Sequence, residues 1–177
     1  MNPAEHDLLV IDAQDGSRKA LDALVRLHQR ELLRFAWSLC RDAALAQDAV
    51  QDAWLKIARG IRRIDDPRAF RGWIYHAVRW RVLDLLKRAE RRGLDLDQVP
   101  TLVDPKAEGE QRDRGLDLGS AIEALPEAER ESLRLFYLHG LSISEIAVVQ
   151  EIAPGTVKSR LHRARNQLRE HLEGDDG

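Results

Sequence analysis

Residues 141–172 read LSISEIAVVQEIAPGTVKSRLHRARNQLREHL. Ser142 and Glu145 have the spacing of a capping box, in which each side chain binds the free backbone amide of the other residue at a helix start. A second helix is predicted to begin at Pro154, because the first helical position tolerates proline well. The stretch therefore predicts two helices around a short turn, the second extending to Leu172.

The second helix has one narrow apolar stripe, formed by Val157, Leu161, Ala164 and Leu168, which must pack inward. Its opposite face carries cations and hydrogen-bonding side chains, which suit phosphates and base edges. The alternative is a basic face that is merely solvated. The order of cap, turn and basic helix is typical of helix-turn-helix DNA binding. The candidate DNA contacts on this helix are Thr156, Lys158, Ser159, Arg160, His162, Arg163 and Arg165.

The composition indicates a soluble globular protein, since 33% of the 177 residues are charged and 44% are hydrophobic. No apolar run approaches a membrane span of about 18 residues, and the acidic N-terminus lacks the basic start of a secretory signal. Cys40 is the only cysteine, and the six histidines show no i,i+4 pair. We expect a cytoplasmic protein with no membrane insertion, no catalytic residues, no metal and no other cofactor.

Charge is strongly segregated along the chain, although the net charge is only −2. Residues 19–92 and 130–171 are basic, whereas residues 1–18 and 93–129 are acidic. A protein that binds DNA tightly on its own usually has a clear excess of cations, because phosphate neutralisation supplies most non-specific affinity. We therefore predict that this chain binds DNA with the help of a partner.

The chain is predicted to be all-α, with two small helical domains joined by a flexible acidic linker. Helical periodicity runs through the first domain, whereas the linker is rich in glycine, proline and acidic residues and has no period. Ser120 and Glu123 suggest a capping box at the start of the second domain, and Gly140 ends a helix that begins near Glu127. The predicted segments are an acidic N-terminus (1–18), a helical domain (19–92), the linker (93–119), a helix-turn-helix domain (120–172) and a tail (173–177).

Two amphipathic segments of the first domain offer further surfaces. Residues 43–58 have a polar face that includes Asp48, Gln51 and Asp52, and it is either solvated or docks a partner. In the second segment, Trp73 and Trp80 lie opposite the apolar stripe and beside cations. Exposed aromatic rings beside cations suit stacking on unpaired bases, and the alternative is that each tryptophan packs against a neighbouring helix.

Five blocks in order resemble the extracytoplasmic-function (ECF) sigma factors, a two-domain group of the sigma-70 family of bacterial RNA polymerase initiation factors. The blocks are ALDALVRLHQRELLRFA at 20–36, DAVQDAWLKI at 48–57, DDPRAFRGWIYHAVRWRVLDLLKR at 65–88, ALPEAERESLRLFYLHGLSISEIA at 124–147 and GTVKSRLHRARNQLRE at 155–170. The resemblance implies a promoter-specificity subunit, without enzymatic activity or a small-molecule substrate. Its implied partners are core RNA polymerase, promoter DNA and, in many members, an anti-sigma factor.

The resemblance also implies roles for individual residues. Asp48, Gln51 and Asp52 would bind core polymerase, and the helix-turn-helix domain would bind the minus-35 element. The linker would pass through the polymerase near the RNA exit path. The residues implied in capture and melting of the minus-10 element are Asp66, Arg68, Phe70, Arg71, Trp73, Trp80, Arg81, Lys87 and Arg88.

This chain departs from the family pattern at three places. Trp80 stands where asparagine is usual, Glu151 where glycine is frequent, and Ala153 at the expected N-cap. Two other functions compete with the leading one. A conventional helix-turn-helix regulator would bind an operator without polymerase, and a nuclease would need convergent carboxylates beyond the adjacent Asp65 and Asp66.

Overall fold

The computed structural model describes residues 2–91 and 112–173, with side chains described for residues 2–91 and 118–171. The chain divides into two compact units, Met1–Pro100 and Thr101–Gly177. All regular elements in the described ranges are helical, which confirms the predicted all-α class. In those same ranges, every helix falls short of the length and apolarity that a membrane crossing requires.

The first unit contains four α-helices: α1 (Pro3–Gln14), α2 (Arg18–Cys40), α3 (Ala43–Gly60) and α4 (Phe70–Arg91). Short 3₁₀ turns at Ile61–Arg63 and Pro67–Ala69 connect α3 to α4. Side-chain caps from Asn2, Ser17 and Asp42 begin the first three helices. Each cap satisfies backbone amides that have no partner within the helix.

The core of the first unit lies among α2, α3 and α4. The α3 residues predicted to face inward are the ones buried: Ala46, Ala49, Val50, Ala53, Trp54 and Ile57. They pack with large side chains of the neighbouring helices that are fully buried: Leu24, Leu32, Phe35, Ile74 and Tyr75. Burying one such side chain stabilises a fold by about 1.5 to 3 kcal/mol.

The acidic N-terminal segment forms a helix that packs on the first domain. α1 buries Val10 and Ala13 and contacts both α2 and the turns before α4. The Gln14 side-chain amide donates to the backbone carbonyls of Ile61 and Ile64, at 3.0 and 2.7 Å. α1 therefore holds the segment that leads into α4.

The second unit contains α5 (Arg112–Ala124), α6 (Glu127–Tyr137), α7 (Ile143–Gln150) and α8 (Pro154–Glu173). The predicted capping box at Ser120 is wrong, because α5 already begins at Arg112 and Ser120 lies inside it. The Glu123 carboxylate accepts hydrogen bonds from Arg130 and Arg134 instead. The rest of the predicted linker, residues 93–111, and the tail residues 174–177 lie outside the described residues.

The helix-turn-helix forms as the sequence predicts. Ser142 and Glu145 make both hydrogen bonds of the capping box that begins α7. α8 begins at Pro154 and buries Val157, Leu161 and Ala164, with Leu168 partly buried. The opposite face of α8 is thereby left toward solvent.

Candidate nucleic-acid interface

The outward face of α8 carries most of the predicted minus-35 contacts. Thr156 and Arg160 are only partly exposed, so they are less accessible than the rest. The Ser159 hydroxyl donates to the Thr156 carbonyl at 2.9 Å, and the Asn166 amide lies 3.2 Å from His162 Nε2. The more exposed candidates are Lys158, Ser159, His162, Arg163 and Arg165.

Arg160 belongs to a polar network that holds α8 against α6 and α7. Its Nη1 donates to the buried Gln150 Oε1 at 3.1 Å. Gln150 Oε1 also accepts from the Ser132 hydroxyl at 2.8 Å, and Gln150 Nε2 donates to Glu131 at 3.1 Å. Because buried polar groups are costly without partners, this network fixes the last residue of α7 and therefore the turn.

Arg163 reaches back from α8 to α6. Its Nε donates to Glu129 Oε1 at 2.9 Å, and its Nη2 lies 2.8 Å from the same oxygen. The Glu129 side chain is 11% exposed and the Arg163 side chain 53%. Arg163 is therefore oriented by an ion pair while part of it remains open to a ligand.

The turn between α7 and α8 has the geometry that its unusual sequence demands. Glu151 adopts φ 56° and ψ 44°, which is the left-handed conformation that glycine adopts without a steric penalty. Glycine, which the resemblance implies is frequent at this position, would adopt this conformation without strain. Ala153 offers no side-chain cap, but its carbonyl accepts from the amides of Thr156 and Val157 at 2.9 and 3.3 Å.

The turn before α4 presents Asp66 and Arg68 to solvent. Asp66 accepts from the Arg68 amide at 3.0 Å and from Arg68 Nε at 3.0 and 3.2 Å. These hydrogen bonds lower the pKa of the Asp66 carboxyl. The turn is therefore locally braced, with both side chains accessible to a nucleotide.

Phe70 does not fit the surface role implied for it. It is 0% exposed, and its ring centroid lies 5.7 Å from that of His6 and 5.8 Å from that of His28. Because its ring is covered by α1 and α2, it cannot stack on a base in this conformation. Phe70 is a core residue that anchors the first turn of α4.

His6 and His28 form a buried contact beside Phe70. Their Nε2 atoms lie 2.9 Å apart, so one nitrogen donates and the other accepts. Burial, with smaller contributions from the charges of His6 and Arg71, lowers the pKa of His28 from 6.5 to about 4. His28 therefore favours its neutral form, and its contact with His6 links α1 to α2.

The two tryptophans of α4 differ in environment. A Cβ added to Gly60 would lie 3.2 Å from Trp73 Cη2, so the Trp73 ring packs closely over α3. Trp80 is 50% exposed, and Lys56 Nζ lies 4.7 Å from its ring centroid. Trp73 thus matches the packing alternative, whereas Trp80 keeps open ring surface beside a cation.

The cations of α4 are bound to different extents. Lys87 and Arg88 are exposed, whereas Arg71 is partly buried. Burial raises the pKa of Tyr75, and the charge of Arg71 opposes that rise. Arg81 forms ion pairs with Asp52 of α3 at 2.6 Å and with Asp84 at 2.7 Å. Asp52, which is predicted to bind polymerase, is therefore paired with Arg81, which is predicted to bind DNA.

The predicted polymerase surface on α3 is otherwise open. Asp48 and Gln51 are exposed on the polar face of that helix. Gln51 also borders a shallow groove between α2 and α3 whose apolar wall includes Leu21, Val25 and Leu55. Polar and apolar groups thus lie side by side on this face, as a protein-docking surface requires.

Sequence reasoning missed the residues that support these surfaces. The contacts of Glu129 and Gln150 were not predicted, because a single acid or amide in an amphipathic helix is usually solvated. Gln14 lies in a segment described only as acidic. Their partners are distant in sequence, so periodicity within one helix carried no signal for them.

Comparison with known proteins identifies the class. Residues 24–92 match the family model for Sigma-70 region 2, and residues 115–168 match the model for Sigma-70 region 4. The chain therefore belongs to the sigma-70 family.

Its relatives place it in the ECF group of that family and confirm the resemblance seen in the sequence. The ECF RNA polymerase sigma factor SigE of Mycolicibacterium smegmatis is 34% identical over 158 residues, which cover 85% of this chain and 61% of that protein. The ECF sigma factor SigM of Mycobacterium tuberculosis is 34% identical over 154 residues, covering 86% of this chain and 77% of that protein. The solved structure of the sigma factor RpoE of Bartonella quintana, in complex with the anti-sigma factor NepR, matches with a TM-score of 0.66 and 27% identity. That match covers 88% of this chain and 98% of RpoE.

Proposed function

We propose that this chain directs core RNA polymerase to specific promoters and promotes promoter opening at the start of transcription. It recognises the minus-35 element with α8 and the minus-10 element with the turn 65–69 and α4. Core polymerase binds the polar face of α3. The chain supplies specificity and strand opening and leaves the chemistry of RNA synthesis to the polymerase. Its site of action is therefore the cytoplasm.

The single observation that carries this proposal is the presence of both sigma-70 regions in one chain. Region 4 alone would equally fit a regulator that binds an operator without polymerase. The first unit adds a half-exposed Trp80 and accessible Asp66 and Arg68, which suit a single strand more than a duplex. A bipartite promoter factor accounts for both units.

An anti-sigma factor is a further proposed partner. The related RpoE is bound to NepR in its solved structure. A pull-down with the tagged full-length chain from native extract tests this partner. Recovery of core polymerase without a second specific protein would leave the anti-sigma partner unsupported and the promoter function intact.

In vitro transcription tests the main proposal. Purified chain is added to core polymerase on a library of genomic promoter fragments, and start sites are mapped. We expect initiation at a subset of fragments only when the chain is present, together with a complex on a sizing column. Absence of both would refute the proposal, and tight polymerase-free binding to an operator would favour the regulator.

A further inference from the structure

Arg81 is surrounded by carboxylates in the free chain. Its Nε and Nη2 lie 2.7 and 2.6 Å from Asp52 Oδ2, and its Nη1 lies 2.7 Å from Asp84 Oδ2. All three guanidinium nitrogens are therefore engaged, and the side chain is only 23% exposed. A DNA phosphate would have to displace a carboxylate to bind Arg81 in bidentate fashion.

The charges of this cluster cancel. Asp84 also binds Arg88, with Nη2 3.1 Å from Asp84 Oδ2, so two carboxylates face two arginines. Coulomb attraction between partly buried groups is stronger and less screened by salt than attraction between exposed groups. The cluster therefore attracts DNA less than its two arginines would alone.

Asp52 joins two surfaces that have separate proposed roles. It lies on α3 one helical turn after Asp48, on the face proposed for polymerase. Arg81 lies on α4, in the surface proposed for the minus-10 element. Their ion pair is a direct contact between the two surfaces. A ligand that binds the Asp52 carboxylate would therefore compete with its ion pair to Arg81.

We propose that Asp52 is a positioning residue that withholds Arg81 from DNA in the free chain, and that docking of core polymerase on Asp52 releases Arg81 for a DNA phosphate. The inference rests on the proposed function and adds a route by which polymerase docking strengthens DNA binding. The docking group on polymerase is a cation or a hydrogen-bond donor, because an ionised carboxylate only accepts. By linkage, DNA bound at Arg81 strengthens polymerase docking by the same factor.

Polymerase-free DNA binding by the full-length chain tests this coupling. Fluorescence anisotropy measures the affinity of a labelled single-stranded oligonucleotide for the wild type, Asp52→Asn and Asp48→Asn across a range of salt concentrations. Both variants remove one negative charge from the same helix face. Among the described residues, Asp48 forms no ion pair, so it reports the general effect of charge.

We expect Asp52→Asn to bind at least threefold more tightly than Asp48→Asn, with a salt slope steeper by about 0.7, the value for one additional phosphate contact on a single strand. Asp52→Glu, which restores the carboxylate, should return the affinity toward that of the wild type. Arg81→Gln in the Asp52→Asn background should abolish the gain. Equal gains in the two asparagine variants, or a gain that survives Arg81→Gln, would overturn the proposal.

Two controls separate this inference from the proposed function. Thermal unfolding verifies that each variant is folded, and Asp52→Ser carries the same expectation if Asp52→Asn is unstable. Complex formation between the wild type and core polymerase is measured on a sizing column. Absence of both the complex and promoter-dependent initiation would count against the proposed function itself. Normal initiation by the wild type, together with equal DNA affinities of Asp52→Asn and Asp48→Asn, would remove only the coupling.

Discussion

Glu129 of α6 holds Arg163 of α8 through a single carboxylate oxygen, with Arg163 Nε at 2.9 Å and Nη2 at 2.8 Å. The acid is nearly buried and the arginine is half exposed. The helix proposed to face DNA therefore carries an arginine whose direction is set by an ion pair with a neighbouring helix. A side chain oriented before binding loses less conformational entropy when it meets its ligand.

Arg163→Ala should destabilise the second unit more than Arg165→Ala does. Removal of Arg163 leaves the Glu129 carboxylate nearly buried and without its cation, at a cost of about 2 kcal/mol. Arg165 is exposed on the same helix, so its removal should cost less than about 0.5 kcal/mol. Urea unfolding of the two variants measures the difference. Equal free energies of unfolding would show that the ion pair does not contribute to stability.

Glu151→Gly should stabilise the helix-turn-helix. Glu151 is held at φ 56°, where a side chain is strained and glycine is not, so we expect a gain of about 0.5 to 1 kcal/mol in the free energy of unfolding. Glu170→Gly, within α8, is the matched control and should lower stability by about 1 kcal/mol. Thermal melts distinguish the two, and a loss at both positions would contradict the steric explanation.

Substitution of the two tryptophans of α4 should have different effects, one mainly on stability and the other mainly on DNA binding. Trp73→Ala removes a ring packed over Gly60 and should lower the free energy of unfolding by about 3 kcal/mol. Trp80→Ala should change stability by less than about 1 kcal/mol yet weaken single-strand binding by about 1 to 3 kcal/mol, the value for one stacked base. Chemical denaturation and anisotropy titration measure both quantities. A Trp80→Ala variant with unchanged strand affinity would exclude the stacking role.

Acid should weaken the first unit through His28. Its pKa is lowered in the folded state to about 4, so between pH 6.5 and 4 the unfolded chain binds more protons than the folded chain. Stability therefore rises with pH in this window, and its loss at pH 5 relative to pH 7.5 is about 2 kcal/mol. Urea unfolding midpoints measured at pH 5 and pH 7.5 test this expected loss of stability.

The matched variant for the pH effect is His28→Gln. It removes the titrating group, so its pH dependence over the same window should be smaller by about 2 kcal/mol, whatever its absolute stability. An unchanged slope would mean that other groups cause the acid sensitivity.

Periodicity was sufficient for α3 and α8 and for the faces that they bury, but it indicated neither α1 nor the start of α5. The inward residues of α3 and the stripe of α8 are local patterns, and each is buried as predicted. Phe70, to which the resemblance assigned a role at the minus-10 element, shows where inference from sequence fails. An aromatic among arginines suits a base platform, but its covering residues, His6 and His28, come from two other helices. A pattern within one segment contains no information about such partners.

The exposed faces of the candidate site were predictable from the sequence, but the contacts within it were not. Exposure of Lys158 and His162 follows from the apolar stripe opposite them, whereas the ion pairs of Arg81 and Arg163 join residues 29 and 34 positions apart. Residue type indicated cations for phosphate in both cases. The structure adds that a neighbouring helix already supplies each with a carboxylate.

The contact of Gln14 with the carbonyls of Ile61 and Ile64 bears on how the chain is handled in the laboratory. The first helix resembles a dispensable acidic leader, and an expression design that starts at Ser17 would be a natural choice. Such a shortened protein would lose the hydrogen bonds from Gln14 to the segment that precedes Asp66 and Arg68. It would therefore be unsuitable for testing the proposed role of the first unit in promoter melting.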